Sequence, residues 1–170
     1  HTHWLSDQDY SKAISLLRDV NKLPVCKAMH NGMYDATHSL VYHAEPRNWL
    51  IDTMAMAHAE FSSLPKTLDF VASICLPDYI QWKQEAAESS KNKDINSYWG
   101  YNAKDGFYTL RIAMHYLKSL PAYARTNYAR QFPMVYPSLY CNFEGFAVDM
   151  DKRNSLRKQA KDKQLQALSR

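Results

Sequence analysis

The chain has 170 residues, 46% hydrophobic and 22% charged, with 21 Lys and Arg against 17 Asp and Glu for a net charge of +4. That length fills one hydrophobic core and part of a second, while no apolar run approaches the ~18 residues of a membrane span and no signal peptide stands at the start. The small basic excess permits a nucleic-acid partner without specifying one, and Cys26, Cys75 and Cys141, far apart and in no C-x-x-C pair, read as free thiols of a reducing compartment.

The sequence opens on His1, which suggests a fragment or a processed product, and contains no internal repeat. Ser6 is a candidate N-cap, followed by acidic residues that suit a first helical turn. Ala13, Ile14, Leu16, Leu17 and Val20 give that helix its expected buried face, and Asn21-Lys22 close it. Residues 23–29 read as a strand with Pro24 at its start, where proline is tolerated.

Asn31-Gly32 turns the chain into a short helix over 34–42, which ends before Pro46. Asp35 therefore falls just past a strand end, at the start of a helix, a place where metal-dependent phosphate chemistry is built. Residues 48–56 read as a second strand passing into a helix, with Asp52 as the helix N-cap. A further helix opens near Leu64, capped by Thr67 or Ser63, with Phe70, Val71, Ile74 and Cys75 as its apolar face and Pro77 as its end. Residues 78–96 are polar and lysine-rich, and Ser89-Ser90-Lys91-Asn92-Lys93 is the expected mobile loop. Trp82, set near Lys83, Lys91 and Lys93, has two readings: an exposed ring that stacks on an unpaired base, or the core anchor of a loop poor in apolar residues.

Residues 98–117 predict a long helix. Ala103, Phe107, Leu110, Met114 and Leu117 recur at steps of three and four, the spacing of a buried stripe. Tyr101 and Asp105, four apart, share another face, expected roughly opposite that stripe. Pro121 breaks this helix, a shorter one with Arg125 and Arg130 follows, and 150–170 forms a basic helix. Its Arg153, Arg157, Lys158, Lys161 and Lys163 suit either a solvated face or the tracking of a DNA backbone.

Two spacings and a linker resemble a known family. Asn31-Gly32-Met33-Tyr34-Asp35 has the N-x-x-Y-D form of the second exonuclease motif of family A DNA polymerases, and Tyr101-Asn102-Ala103-Lys104-Asp105 has the Y-x-x-x-D form of the third. Asp52-Thr53 resembles the pair that ends the strand after the second motif. Residues 132–149, with Glu144-Gly145 and Val148-Asp149, are similar to the passage from exonuclease to polymerase domain. The resemblance runs from Leu5 to Leu168, nearly the whole chain, and is to phage or bacterial members related to DNA polymerase I.

The resemblance implies a proofreading 3′→5′ exonuclease of the ribonuclease H-like α/β fold, a mixed sheet flanked by helices. Residues 1–125 would be the exonuclease domain, and 126–170 the linker and first helix of a polymerase domain. It implies two Mg²⁺ or Mn²⁺ ions, with Asp35 and Asp105 as metal ligands, Tyr101 orienting the attacking water, and Asn31 and Tyr34 positioning the single-stranded 3′ end of DNA. The implied setting is the cytoplasm of a bacterial cell, possibly for a phage-encoded protein, with no membrane partner. The family's first motif, Asp-x-Glu, has no counterpart here, since Asp7-Gln8-Asp9 and Asp149-Met150-Asp151 fit neither its residues nor its place. An upstream segment carrying that pair, in cis or as a separate chain, is therefore expected, and the 170 residues alone are expected to be inactive. Alternatives are a ribonuclease D-like exoribonuclease, which shares Y-x-x-x-D, and a catalytically dead exonuclease-like scaffold or single-strand-binding module.

Overall fold

A computed structural model describes residues 6–82 and 95–168. Its order is α1 (Asp7–Lys22), β1 (Lys27–Met29), α2 (Gly32–Val41), β2 (Trp49–Asp52), α3 (Thr53–Glu60), α4 (Leu68–Cys75), α5 (Ile95–Ser119), α6 (Ala122–Gln131), a 3₁₀ turn (Phe132–Met134), α7 (Val135–Glu144) and α8 (Met150–Leu168). The expected loop at Ser89-Ser90-Lys91-Asn92-Lys93 lies outside the described residues.

The expected ribonuclease H-like mixed sheet is not what these residues form. Among them, the only sheet is β1 paired in parallel with β2, with Ala28 opposite Ile51 and Met29 opposite Asp52. Everything else regular is helical. Both strands are shorter than read, because backbone chemistry cuts them. Leu23 caps α1, so the first strand starts only at Lys27. Asp52 turns the second into α3 by accepting from the Met54 and Ala55 N–H groups (3.0 and 3.1 Å), the expected N-cap.

The main core lies between α3, α4, α5 and α6. Val71, Trp82, Ile112, Tyr116 and Ala124 are fully buried there, with Met56, Ala72 and Tyr108 around them. A second cluster joins α2 to α7 through Ala36, Trp49, Phe132 and Leu139. Gly32 is required by this cluster, since a Cβ there would lie 2.6 Å from both the Met29 Cβ and the Trp49 ring. Tyr128, on α6, belongs to both clusters, and its hydroxyl donates to Leu50 O (2.9 Å) and accepts from Asp52 N (2.9 Å).

Two expected buried faces are exposed instead. On α1, Leu16 and Val20 face solvent. The end of α1 is held by polar bonds: Asn21 Nδ2 donates to Ala44 O (2.7 Å) and Arg18 Nε to Tyr42 O (2.8 Å). On α5 the correction is larger. Phe107, Leu110, Met114 and Leu117 are 50–60% exposed, while Tyr108, Ile112 and Tyr116 carry the core. The helix has two apolar stripes. The buried one contains tyrosines, whose rings bury large areas while keeping a polar tip, and it lies on the side expected to face away from the buried stripe. Tyr101 and Asp105 thus belong to the core-side face of α5, not to the face away from it.

Candidate functional site

An open cleft of about 1140 Å³ lies between β1, the start of α2, the start of α4 and the middle of α5. Asn31, Asp35, Asp69 and Asp105 line it, with His30, Lys66 and Asn102. It therefore brings Asp35 and Asp105, 70 positions apart in sequence, to one concavity.

The α2 side is built around Asp52. Asn31 takes a left-handed conformation (φ 59°), which asparagine tolerates better than most residues, and turns the chain out of β1. The buried Asp52 carboxylate then accepts from Asn31 N (3.3 Å) and Gly32 N (2.8 Å) as well as from the first turn of α3. One carboxylate thus ties the first turns of two helices together, four donors that would otherwise lack helical partners. Asp35 follows one turn along α2. Desolvation within the concavity pushes its carboxyl above the usual carboxylate range, and the Asp52 charge adds to the rise, while a backbone N–H and His38 oppose it.

His30 is a structural residue of the cleft wall. Its Nδ1 meets Thr53 Oγ1 at 2.8 Å and its Nε2 meets Lys66 O at 2.9 Å. A carbonyl only accepts, so Nε2 carries a hydrogen and offers no lone pair to a metal or a proton.

The α5 side is built around Trp82. Its indole is buried, stacks on Tyr108 with centroids 4.0 Å apart, and donates from Nε1 to Asp105 Oδ1 at 2.8 Å. Of its two readings the core anchor is correct, because a ring with 1% exposure cannot stack on a base arriving from solvent. The same bond fixes one oxygen of Asp105 through a rigid, packed donor.

Of the remaining expected site residues, Tyr101 is half-buried against the main core and does not line the cleft. Tyr34 is exposed and packs against the His38 ring, also away from the cleft lining. Asn31 is in place. Asp69 was missed as a site residue. It stands in the first turn of α4, where an acid is ordinarily a helix-end residue, and that local role hid its place in the lining of the same cleft.

The donor set fits Mg²⁺ or Mn²⁺ in kind, since carboxylate oxygens are the hard ligands such ions take. It falls short in number. Among the described residues, no three His, Cys, Asp or Glu side chains converge closely enough to hold a metal ion. No protein-family model, curated protein or solved structure matches the chain. No helix among the described residues is long and apolar enough to cross a membrane.

Proposed function

We propose that the cleft is part of a metal-assisted 3′→5′ exonuclease site acting on DNA, within a family A-like DNA polymerase. The observation that carries this reading is that Asp35 and Asp105 both line one cleft. Each comes from a separate motif of the resemblance, and nothing about a helix packing on a two-stranded sheet requires an acid at both places. The raised Asp35 carboxyl supports it further: the residue is exposed, but partial desolvation still disfavours its charged form, which a bound cation would offset.

The shortfall in ligands is met in this proposal by a further polypeptide segment bearing an Asp-x-Glu pair, in cis or in trans. Two features make room for it. Among the described residues β1 has a partner on one side only, and a two-stranded sheet is marginal alone. Beside it, Phe107, Leu110 and Met114 present apolar surface from α5, an element that packs directly on β1. Bound divalent ions would supply transition-state charge stabilisation and an activated water. The residues of this chain would hold the acids in place: Trp82 fixes Asp105, and Asp52 fixes the turn that carries Asp35. Tyr101 packs against the main core and is not among the residues that line the cleft. We therefore assign it a smaller part than the two acids.

The test is trimming of a labelled single-stranded DNA oligonucleotide in Mg²⁺, with the Asp-x-Glu segment supplied. The reading expects trimming that Asp105→Ala abolishes, and none by the 170 residues alone. Trimming by this chain alone that survives Asp35→Ala and Asp105→Ala would place the chemistry elsewhere. A second reading, a catalytically dead single-strand-binding module, is favoured by the absence of a converging metal cluster among the described residues. It expects oligonucleotide binding that is unchanged by Asp35→Asn and no trimming under any of these conditions.

A further inference from the structure

Helix α8 stands apart from the rest of the chain in burial and in charge. None of its residues is buried, and each is exposed along its full length. It holds Lys152, Arg153, Arg157, Lys158, Lys161 and Lys163 against Asp151 and Asp162, a net +4 that equals the excess of the whole chain. The remaining residues are electrically balanced, so the charge is concentrated in one helix. Among the described residues none of the six cations forms an ion pair, and the Arg153 guanidinium meets only the Met150 sulfur (3.4 Å).

The charges are also ordered around the helix. At about 100° per residue, Arg153, Arg157 and Lys161 form one stripe with steps of about 6 Å along the axis. Asp151 and Asp162 project about 120–140° away from the middle of that stripe. Met150, Leu165 and Leu168 fall within about 60° of one another but at opposite ends of the helix, with no long apolar residue between them on that side, and Leu156 projects about 120–180° away from them. The helix therefore lacks the apolar face of a membrane-surface helix and the repeating seam of a coiled coil. Like charges at i, i+4 repel, so this stripe is a cost to an isolated helix that a bound polyanion relieves.

We propose that the Arg153–Arg157–Lys161 stripe of α8 binds the sugar-phosphate backbone of a nucleic acid, without reading its sequence. The site is separate from the acidic cleft. Its partner is a polyanion, and release of condensed counterions drives binding. Asp149 Oδ1 caps the helix by accepting from Lys152 N at 2.9 Å, which keeps the first turn formed and the stripe in line.

The experiment is fluorescence anisotropy of a labelled single-stranded DNA with the whole 170-residue chain in EDTA, across a KCl series. EDTA keeps divalent ions out of the cleft, so this result and the nuclease result stand or fall separately. The triple change Arg153→Gln, Arg157→Gln, Lys161→Gln should reduce the slope of log affinity against log salt by about 2, at about 0.7 per phosphate contact, and weaken binding at least tenfold in low salt. A control with Lys12→Gln, Lys22→Gln and Lys118→Gln, exposed positions elsewhere, removes the same charge and should leave the slope within about half a unit of the parent. Thermal melting should be the same for all three proteins. Equal losses in the two triple variants would show a net-charge effect and overturn the proposal. So would DNA binding unchanged by the α8 changes, or α8-dependent binding to phosphatidylserine vesicles without α8-dependent binding to DNA.

Discussion

Truncation of Ile112 separates the two possible faces of α5. Its side chain is fully buried between α3, α4 and α6. Ile→Ala at such a site removes apolar contacts and leaves a cavity, at a cost of about 2–5 kcal/mol. For a chain of this size each 1 kcal/mol moves the melting temperature by roughly 2–4 °C, so the loss should be about 5–15 °C. Leu117, one residue beyond the buried Tyr116 and 60% exposed, gives the control. Leu117→Ser should stay within about 0.5 kcal/mol, or 2 °C. The assay is thermal unfolding of each variant followed by far-ultraviolet circular dichroism, in monomeric protein at low concentration. A Leu117→Ser loss as large as that of Ile112→Ala would refute the orientation of α5, and with it the placement of Asp105 on the cleft side of the core.

Three other outcomes follow from the same contacts. Gly32→Ala should cost about 1–3 kcal/mol by overpacking against Met29 and Trp49, read as a lower midpoint in urea with an unchanged slope. Asp35→Asn should stabilise the chain at neutral pH: the folded state holds the Asp35 proton more tightly than the unfolded state, so ionisation costs stability as pH rises past the ordinary carboxylate range. That gain should vanish below this range, where wild-type Asp35 is protonated in both states, and a gain that persists at low pH would assign the effect to something other than charge. Trp82→Phe keeps a ring on Tyr108 but removes the hydrogen bond to Asp105, so it should weaken Mn²⁺ binding several-fold more than Tyr79→Phe, a neighbouring ring change that leaves that bond intact.

What could be read in the sequence was mostly local. The Ser6 cap is present, with Ser6 Oγ accepting from Asp9 N at 3.2 Å, and Asp52 caps α3 as expected. Cap chemistry depends on a few neighbouring residues and needs no tertiary information. The choice of buried face on α5 was not local. Its two stripes differ in which one α3 and α4 reach, and tyrosine does not declare its side. Helix α7 was hidden by its proline. Pro137 sits at the third helical position, where the missing N–H has no helical acceptor to lose, so a residue read as linker lies inside a helix. The site was legible in part for the same reason. Asp35 and Asp105 were marked by motif spacing, whereas Asp69 and the Trp82 bond arise from packing between distant segments. The mixed sheet came from the resemblance and not from the residues: the two apolar runs read as strands, 23–29 and 48–56, do hold β1 and β2, shortened by the helix ends that flank them.

The account rests on Asp35 and Asp105 contributing to one shared metal site, and paramagnetic broadening by Mn²⁺ addresses this most directly, since it detects even weak sites. In ¹H–¹⁵N spectra of the 170-residue chain, sub-stoichiometric Mn²⁺ should broaden Asn31, Asp35, Asn102 and Asp105 together, with Asp69 near them. Asp35→Asn and Asp105→Asn should each remove the broadening from both sides of the cleft. Broadening confined to one side, or surviving both substitutions, would contradict a shared metal site.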